Sequence, residues 1–398
     1  MRDSCASGPA RTRGRGLSLL LLALTLPAGA ATFVDPTAER INPDFISLGD
    51  EVYVAPFATL RAGGLLAPIV IGPRSNVQDS VEVDASRGAV LIGEQVILAH
   101  GATVRSRSNI GLRGRCPLRT QAACPSFVGF NAVVDGATIE KDAMVQTLAR
   151  VAPGVTIPSG RKVQPGRNVA SNAEVAAKTD PVTEADREFM AGVIAVNREF
   201  AEGYEKMVLL KGEETVRGIG PDPGLLGAGS LVLNEPFTLP TLAGVATQEP
   251  AFRNRIIGDV QLADPLATLD LRMGAQISLR ADEGTPFIVG PLKMMASRST
   301  FHALEGSSIK AGGSGASYGF HSVVHGGPAP ADPTTTGAQM QLGDWSVLFR
   351  SAVGDNVTIG FRSLVQASSL PDGFVVPPCT IYVSNAVVRR VEWCGLNP

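Results

Sequence analysis

Histidine is scarce in this chain, and its positions suggest a chemistry. The 398 residues contain four histidines: His302, His321 and His325 lie close together, and His100 stands alone. Neutral imidazole is a common zinc ligand and a common general base. Three imidazoles around one zinc ion leave a fourth position open, which is the arrangement of catalytic zinc. Whether these rings can meet depends on the elements that carry them.

Apolar residues recur at every sixth position in the first part of the chain. The three runs are Ile71, Val77 and Val83; Ile92, Leu98, Val104 and Ile110; and Ile139, Val145, Val151, Ile157 and Val163. One hexad is a short strand plus a corner, and three hexads make a triangular coil that stacks its aliphatic residues on the next coil. A β-sandwich alternates by two between turns and holds no six-residue phase. The period predicts a mainly β fold of the left-handed parallel β-helix type.

A second set of hexads follows an interruption, so two tandem domains are predicted. Residues 189–204 place apolar side chains at helical spacings, and Thr183 precedes an acidic first turn as an N-cap would. Glycine and proline then dominate residues 212–243, which is typical of a linker. We expect a β-helix with a following helix over residues 31–211 and a second β-helix over residues 244–398.

The two halves align with each other as an internal duplication. Arg61 in "TLRAGG" matches Arg280 in "SLRADEG", and Asp84 matches His302. When the loop before Ile92 is left out, positions 84 and 105 are three hexads apart, so they stack on one corner at roughly the 4.8 Å spacing between strands. His100 lies on the preceding face and would more naturally serve a neighbouring unit. The spacing therefore suggests a metal shared across an interface.

The N-terminal residues 1–30 are typical of an export signal. Four arginines precede an apolar run from Leu17 to Leu26, and Ala28-Gly29-Ala30 provides a cleavage pattern. We expect a periplasmic or secreted protein whose mature chain has a net charge of about −5. Neither nucleic-acid binding nor membrane insertion is expected.

Four cysteines would remain in the exported chain, as two close pairs. Because an exported protein enters an oxidising compartment, we predict two local disulfides, Cys116 with Cys124 and Cys379 with Cys394. Reduced, metal-binding pairs are the alternative.

Several segments together resemble the γ-class carbonic anhydrases. They are "RSNVQD", "LAH", "LRADEGTPFIVG", "FHALE", "VHGGPA" and "VNREFAEGY", and the likeness covers about Phe33–Lys211 and about Leu242–Ser384. The resemblance implies trimeric assemblies of left-handed β-helices that reversibly hydrate CO₂ to bicarbonate. It also implies a zinc ion held by two histidines of one unit and a third from its neighbour; iron or cobalt would accept the same ligands.

Neither half keeps the full ligand set that the resemblance implies. The first half has Asp84, His100 and Arg105 at these positions, whereas the second half has His302 and His325, with Phe320 in place of the third histidine. We therefore expect a composite site in which His302 and His325 come from a second-half unit and His100 from a first-half unit. A set within the second half, with His321 in place of His100, is the alternative.

The resemblance also assigns supporting roles. Gln78, Asn76 and Asn197 occupy polar positions of the family's site, and Glu283 would accept the released proton. Arg280 would pair with Asp79 across the interface, where Asp282 and Arg61 also occupy matching positions. The expected assembly is a trimer-based homo-oligomer or a complex with a homologous partner subunit.

Two other functions are compatible with the sequence. The incomplete ligand sets favour a catalytically silent β-helix scaffold or assembly subunit. Hexapeptide β-helices also occur in acyltransferases, which use one histidine as a base, but that function leaves the "RADEG" and "VHG" matches unexplained.

Overall fold

The computed structural model describes most of the chain with gaps. Described are residues 31–116, 124–216, 219–220, 225–226, 230–231, 253–258, 260–264, 266–282, 287–304, 307–327 and 333–396. The predicted export signal and Glu283 lie outside the described residues.

The first half is a three-sided β-helix, as the hexads predict. Face N1 contains Phe33–Val34, Tyr53–Val54, Asn76–Val77, Val96–Leu98, Ser126–Val128, Met144–Val145 and Arg161–Val163, with Thr179–Pro181 added antiparallel at its end. Face N2 contains Glu39–Ile41, Thr59–Arg61, Glu82–Asp84, Thr103–Arg105, Val133–Asp135, Arg150–Val151 and Asn168–Val169. Face N3 contains Ile46–Leu48, Ile69–Ile71, Val90–Ile92, Asn109–Ile110, Thr138–Ile139 and Thr156–Ile157.

The second half repeats this architecture. Face C1 contains Leu292–Met295, Ala316–Tyr318, Gln341–Leu342, Thr358–Ile359 and Val375–Val376. Face C2 contains Ile219–Gly220, Arg255–Ile257, Ser278–Arg280, Thr300–His302, Val323–His325, Val347–Phe349, Leu364–Gln366 and Thr380–Val383, with Ala386–Arg390 antiparallel at its end. Face C3 contains Val260–Leu262, Phe287–Val289, Ile309–Ala311, Thr334–Thr336, Ala352–Val353 and Ser369–Leu370. The fold is thus two tandem left-handed parallel β-helices.

The inward residues of each coil explain why the coils form. Val83, Val104 and Val134 are in register on face N2 and fully buried in the first core. A second, separate core fills the other β-helix with larger side chains, including Phe301 and Tyr318. Burial of each such side chain stabilises the fold by about 1.5–3 kcal/mol, so the six-residue phase is what holds the coils together.

A long helix, α2, connects the two halves. Helix α1 is the short segment Val175–Lys178, α2 is Glu184–Lys211 and α3 is Leu266–Arg272; 3₁₀ turns occupy Pro43–Phe45, Asn172–Glu174 and Glu213–Val216. The predicted N-cap is confirmed, because the Thr183 hydroxyl accepts a hydrogen bond from the backbone N–H of Asp186, and the Asp186 carboxylate accepts one from the backbone N–H of Thr183. None of the helices among the described residues has the length and apolarity needed to cross a bilayer.

The region predicted as a linker is partly structured. Within it, Ile219–Gly220 pairs with Arg255–Ile257 and so extends face C2, and Leu225–Leu226 pairs antiparallel with Ser230–Leu231. The second β-helix thus recruits backbone from before residue 244, the predicted start of that domain, because an unpaired strand edge offers hydrogen-bonding groups to any nearby extended segment.

The two β-helices pack against each other through a large apolar interface. Ile97, Phe130 and Leu148 of the first half belong to one cluster with Val347, Phe349, Leu364 and Trp393 of the second half and with Met190 and Ile194 of α2. The C-terminal segment reinforces this contact, because the Trp393 indole donates to the carbonyl of Leu148 at 2.6 Å. Disulfides join Cys116 with Cys124 and Cys379 with Cys394.

Candidate metal centre

Corresponding corners of the two β-helices carry a row of side chains each. On face C2, Arg280, His302, His325 and Phe349 are in parallel register, and we call this row the second-half ladder. On face N2, Arg61, Asp84, Arg105 and Asp135 are in the same kind of register and form the first-half ladder. Each ladder stands at the ends of strands, where the backbone spacing alone brings neighbouring side chains together.

The second-half ladder meets His100 inside a single chain. His100 Nε2 lies 3.2 Å from His302 Nδ1, and that nitrogen lies 3.3 Å from His325 Nε2. Among the described residues these three side chains form the one group of potential metal ligands, with their nitrogen atoms all within 4.8 Å of one another. Tetrahedral zinc with nitrogen ligands at about 2.0–2.1 Å separates those nitrogens by about 3.3–3.4 Å, so the donor set fits such an ion.

Each ring has an acceptor near its outward nitrogen. His100 Nδ1 lies 3.1 Å from Asp79 Oδ2, and His325 Nδ1 lies 2.6 Å from the carbonyl of Gly326. His302 Nε2 faces Asp282 Oδ1 at 3.7 Å. An acceptor on the outward side favours a proton there and a lone pair on the inward nitrogen. The inward nitrogens are thus prepared to donate to a metal.

Burial keeps two of the rings neutral. His302 and His325 are almost completely buried, and this desolvation holds the pKa of each well below its usual range. The Arg280 guanidinium lowers the pKa of His302 further, and the neighbouring His100 lowers that of His325. Neutral imidazole is the form that binds metal.

A buried ion-pair network links the two halves beside the histidines. Arg280 donates to Asp79 Oδ2 at 2.6 Å and to Asp282 Oδ2 at 2.8 Å, and Ser278 donates to Asp79 Oδ1 at 2.5 Å. Burial alone would raise the pKa of Asp79, but Arg280, His100 and Ser278 hold it well below its usual range. Asp79 therefore remains a carboxylate that fixes His100 and Arg280 together.

A small cavity opens beside the histidines. Its volume is about 20 Å³, and about 10–15 Å³ suffices for one water molecule. The walls are mostly apolar, with Phe127, Phe130, Phe189, Val193, Val196, Leu304 and Phe349, and the polar lining consists of Gln78, Asn197, His302 and His325. A ligand that fits is therefore small, and it meets few polar groups besides the site itself.

The other predicted residues are distributed between this site and the rest of the molecule. Gln78 and Asn197 line the cavity, and the Asn197 amide donates to Val193 O at 2.8 Å. Asn76 is buried on face N1, and its amide atoms have no hydrogen-bond partner among the described residues. Arg61 lies in register with Asp84 on the first-half ladder rather than beside Asp79.

His321 is placed apart from the three clustered histidines. Its ring stacks on Trp345 with centroids 4.1 Å apart, and its backbone carbonyl accepts from Asn131. The alternative ligand set within the second half is not assembled in this structure. The reason is that His321 lies on the corner that precedes Val323–His325, where its ring packs on Trp345, and not at the strand end that carries His325.

Sequence reasoning missed three contributors. The Gly326 carbonyl is a backbone group without a signal of its own, and Phe130, which stacks on His100 at 5.6 Å, reads as one more apolar residue. Tyr204 donates to Asp282 Oδ2 at 2.6 Å, although its helical spacing indicated only packing. A buried tyrosine usually hydrogen-bonds through its hydroxyl, which is the one signal that could have identified it.

Comparison with known proteins gives this site a context. A carbonic anhydrase from Methanosarcina thermophila is 32% identical over 207 residues, which cover 45% of this chain and 77% of that protein. A carboxysome assembly protein, CcmM, from Nostoc is 26% identical over 185 residues, and the match spans 30% of its length. No family model matches the chain.

The solved structures that match the chain have more distant sequences. A hexapeptide transferase family protein from Anaplasma phagocytophilum is 19% identical with a TM-score of 0.23, and the match covers 44% of this chain and 95% of that one. The match that identifies the family is therefore the one to the Methanosarcina thermophila carbonic anhydrase. With 32% identity across more than three quarters of that enzyme, this chain belongs to the γ-class carbonic anhydrase family of hexapeptide-repeat β-helices.

Proposed function

We propose that this protein catalyses the zinc-dependent, reversible hydration of CO₂ to bicarbonate at His100, His302 and His325. The observation that carries the proposal is the convergence of three inward imidazole nitrogens. On the outward side, His100 and His325 each have an acceptor within hydrogen-bond distance, and His302 has the Asp282 carboxylate at 3.7 Å. Three nitrogen ligands leave one position of a tetrahedral ion open. Such an ion would supply Lewis acidity, which makes water nucleophilic near neutral pH.

The protein residues would orient the imidazole rings and line the cavity that receives CO₂. Asp79 and the Gly326 carbonyl hold two rings in the metal-binding tautomer. The phenylalanine walls of the cavity suit an apolar molecule such as CO₂, and Gln78 and Asn197 offer amide hydrogen bonds on the polar side. Glu283 is proposed as the proton acceptor on the strength of the resemblance, because it is the glutamate of the matching "RADEG" segment.

The proposed setting is an exported oligomer. The carbonic anhydrase relative and the carboxysome assembly relative favour assembly beyond one chain. A trimer-based homo-oligomer or a homologous partner subunit remains the proposal for its form. Export rests on the N-terminal sequence alone.

Metal content and CO₂ hydration, measured on the same purified mature protein, test the function. We expect about one zinc per chain and metal-dependent hydration in the wild type, and loss of both in His100→Ala. Asp84→Ala is the matched control, because it changes the position equivalent to His302 without touching the three histidines. A wild type that binds no metal and hydrates no CO₂ would contradict the proposal and favour a silent scaffold. Full zinc content in His100→Ala would overturn the composite site.

A further inference from the structure

We propose that Tyr204 is a positioning residue for His302 and acts through Asp282. The inference rests on the proposed function, since it concerns how this chain prepares His302 to bind a metal. Tyr204 belongs to α2, which follows the first β-helix, whereas Asp282 and His302 belong to the second. Its role therefore crosses the interface between the halves.

The contacts around Asp282 form a fixed arrangement. Its Oδ2 accepts from the Tyr204 hydroxyl at 2.6 Å and from Arg280 Nη2 at 2.8 Å. Its Oδ1 lies 3.2 Å from Arg280 Nε and 3.7 Å from His302 Nε2. The last distance is too long for a hydrogen bond, but at that range the carboxylate still favours a proton on Nε2 in this dry surrounding. Nδ1, which faces His100 and His325, then keeps its lone pair.

Tyr204 limits how the carboxylate can turn. Arg280 alone can pair with Asp282 in more than one orientation, because its guanidinium offers several donors and also serves Asp79. The tyrosine hydroxyl selects Oδ2 and so leaves Oδ1 directed at His302. Phe33 stacks on the Tyr204 ring at 5.1 Å, and this packing holds the hydroxyl in place.

The chain offers a matched control in the same aromatic cluster. Tyr53 is 1% exposed, and its ring stacks on that of Tyr204 with centroids 6.1 Å apart. Its hydroxyl has no hydrogen-bond partner among the described residues. Tyr53→Phe and Tyr204→Phe therefore delete the same atom from equally buried rings, but only the second deletion touches Asp282.

Metal affinity measures the difference directly. Zinc dissociation constants are determined for the wild type and both variants by competition with a chelator at fixed pH. Loss of the direct outer partner of a metal-bound histidine typically weakens metal affinity 10–100-fold. Tyr204 acts one contact further out, through Asp282, so we expect the low end of that range: about a tenfold rise in the zinc dissociation constant for Tyr204→Phe, and no change for Tyr53→Phe. The visible absorption spectrum with cobalt(II) as probe should change for Tyr204→Phe alone, since it reports ligand geometry.

The possible outcomes separate the two proposals. Equal zinc affinities and cobalt spectra for both variants, with metal-free melting temperatures near that of the wild type, overturn the role of Tyr204 and leave the proposed function standing. A wild type with no measurable affinity for zinc or cobalt overturns both. If Tyr204→Phe lowers the metal-free melting temperature but binds zinc as tightly as the wild type, its hydroxyl serves the fold and the positioning role is rejected.

Discussion

The two ladders share one backbone geometry and differ in nearly every chemical property. The second-half ladder, Arg280–His302–His325–Phe349, is buried against the first β-helix. The first-half ladder, Arg61–Asp84–Arg105–Asp135, alternates in charge and is partly exposed to solvent. Stacked corners by themselves therefore do not create a site. The second-half ladder differs because the first β-helix and α2 lie opposite it. The first β-helix contributes His100 and Asp79 to this surface.

The largest expected difference between the ladders comes from one alanine substitution on each of them. His325→Ala removes one of the three proposed nitrogen ligands, so we expect zinc content to fall to near zero. Arg105→Ala changes the equivalent position of the other ladder and should leave zinc content unchanged. Elemental analysis of the two purified variants checks this, and equal zinc in both would show that the ladders do not differ in the way proposed.

A second comparison concerns the arginine at the start of each ladder. Arg280→Met leaves Asp79 and Asp282 as buried carboxylates without their cation, which typically costs about 3–5 kcal/mol. Arg61→Met, at the partly exposed equivalent, should change the free energy of unfolding by about 0.5 kcal/mol or less. Denaturant unfolding of the metal-free proteins measures both. Similar losses would mean that the buried network contributes no more than a surface arginine.

The C-terminal segment also contributes to the packing of the second β-helix against the first. Glu392 contacts Arg167 at 2.5 Å, Lys178 at 2.9 Å and the backbone N–H of Asn168 at 2.9 Å. Burial alone would raise the pKa of Glu392, but these partners lower it from 4.5 to about 2. Because the folded pKa lies below the unfolded one, this stabilisation is present above about pH 4.5 and is lost as the pH falls toward 2.

Glu392→Gln tests that dependence. We expect the variant to be less stable by about 1 kcal/mol or less at pH 7, since the pair is partly solvated. The difference from the wild type should shrink as the pH falls from about 4.5 to about 2. Melting temperatures across this range provide the measurement, and a difference independent of pH would exclude the titration of Glu392 as its cause.

The smallest expected effect is the most informative about the comparison. The double variant Asp84→His with Arg105→His copies the two ladder histidines into the first half. We expect no second zinc, because His100 already faces the other ladder, and Asp135, the carboxylate beside the new imidazoles, is paired with Arg150 at 3.0 Å. Elemental analysis, with the wild type as reference, decides the point, and two zinc ions per chain would show that the ladder alone specifies the site.

The fold could be predicted from the sequence because its signal is periodic. A one-residue change of phase would carry Val83 or Val104 out of the core, so the six-residue repeat fixes which side chains point inward. The repeat equally predicts that positions 84 and 105 are stacked neighbours, and the register of the strands agrees.

The composition of the candidate site could be predicted only in part. The spacing indicated that His100 faces a neighbouring unit, but no local pattern could show that this unit is the second half of the same chain. That contact depends on the docking of two finished β-helices, whose interface is built from residues such as Leu148 and Trp393 that are far apart in sequence. The role of Tyr204 was missed for the same reason, since Asp282 is 78 positions away.

Because His100 and His302 lie on one polypeptide, the reaction that brings them together is unimolecular rather than bimolecular. The two residues are separated by 202 positions but are covalently connected, so their encounter is unimolecular. A site divided between separate chains would come apart on dilution below their dissociation constant. Here the covalent connection sets the effective concentration of one half relative to the other, and dilution of the protein does not alter it. The three histidines should therefore stay together in dilute solution even if any larger assembly dissociates.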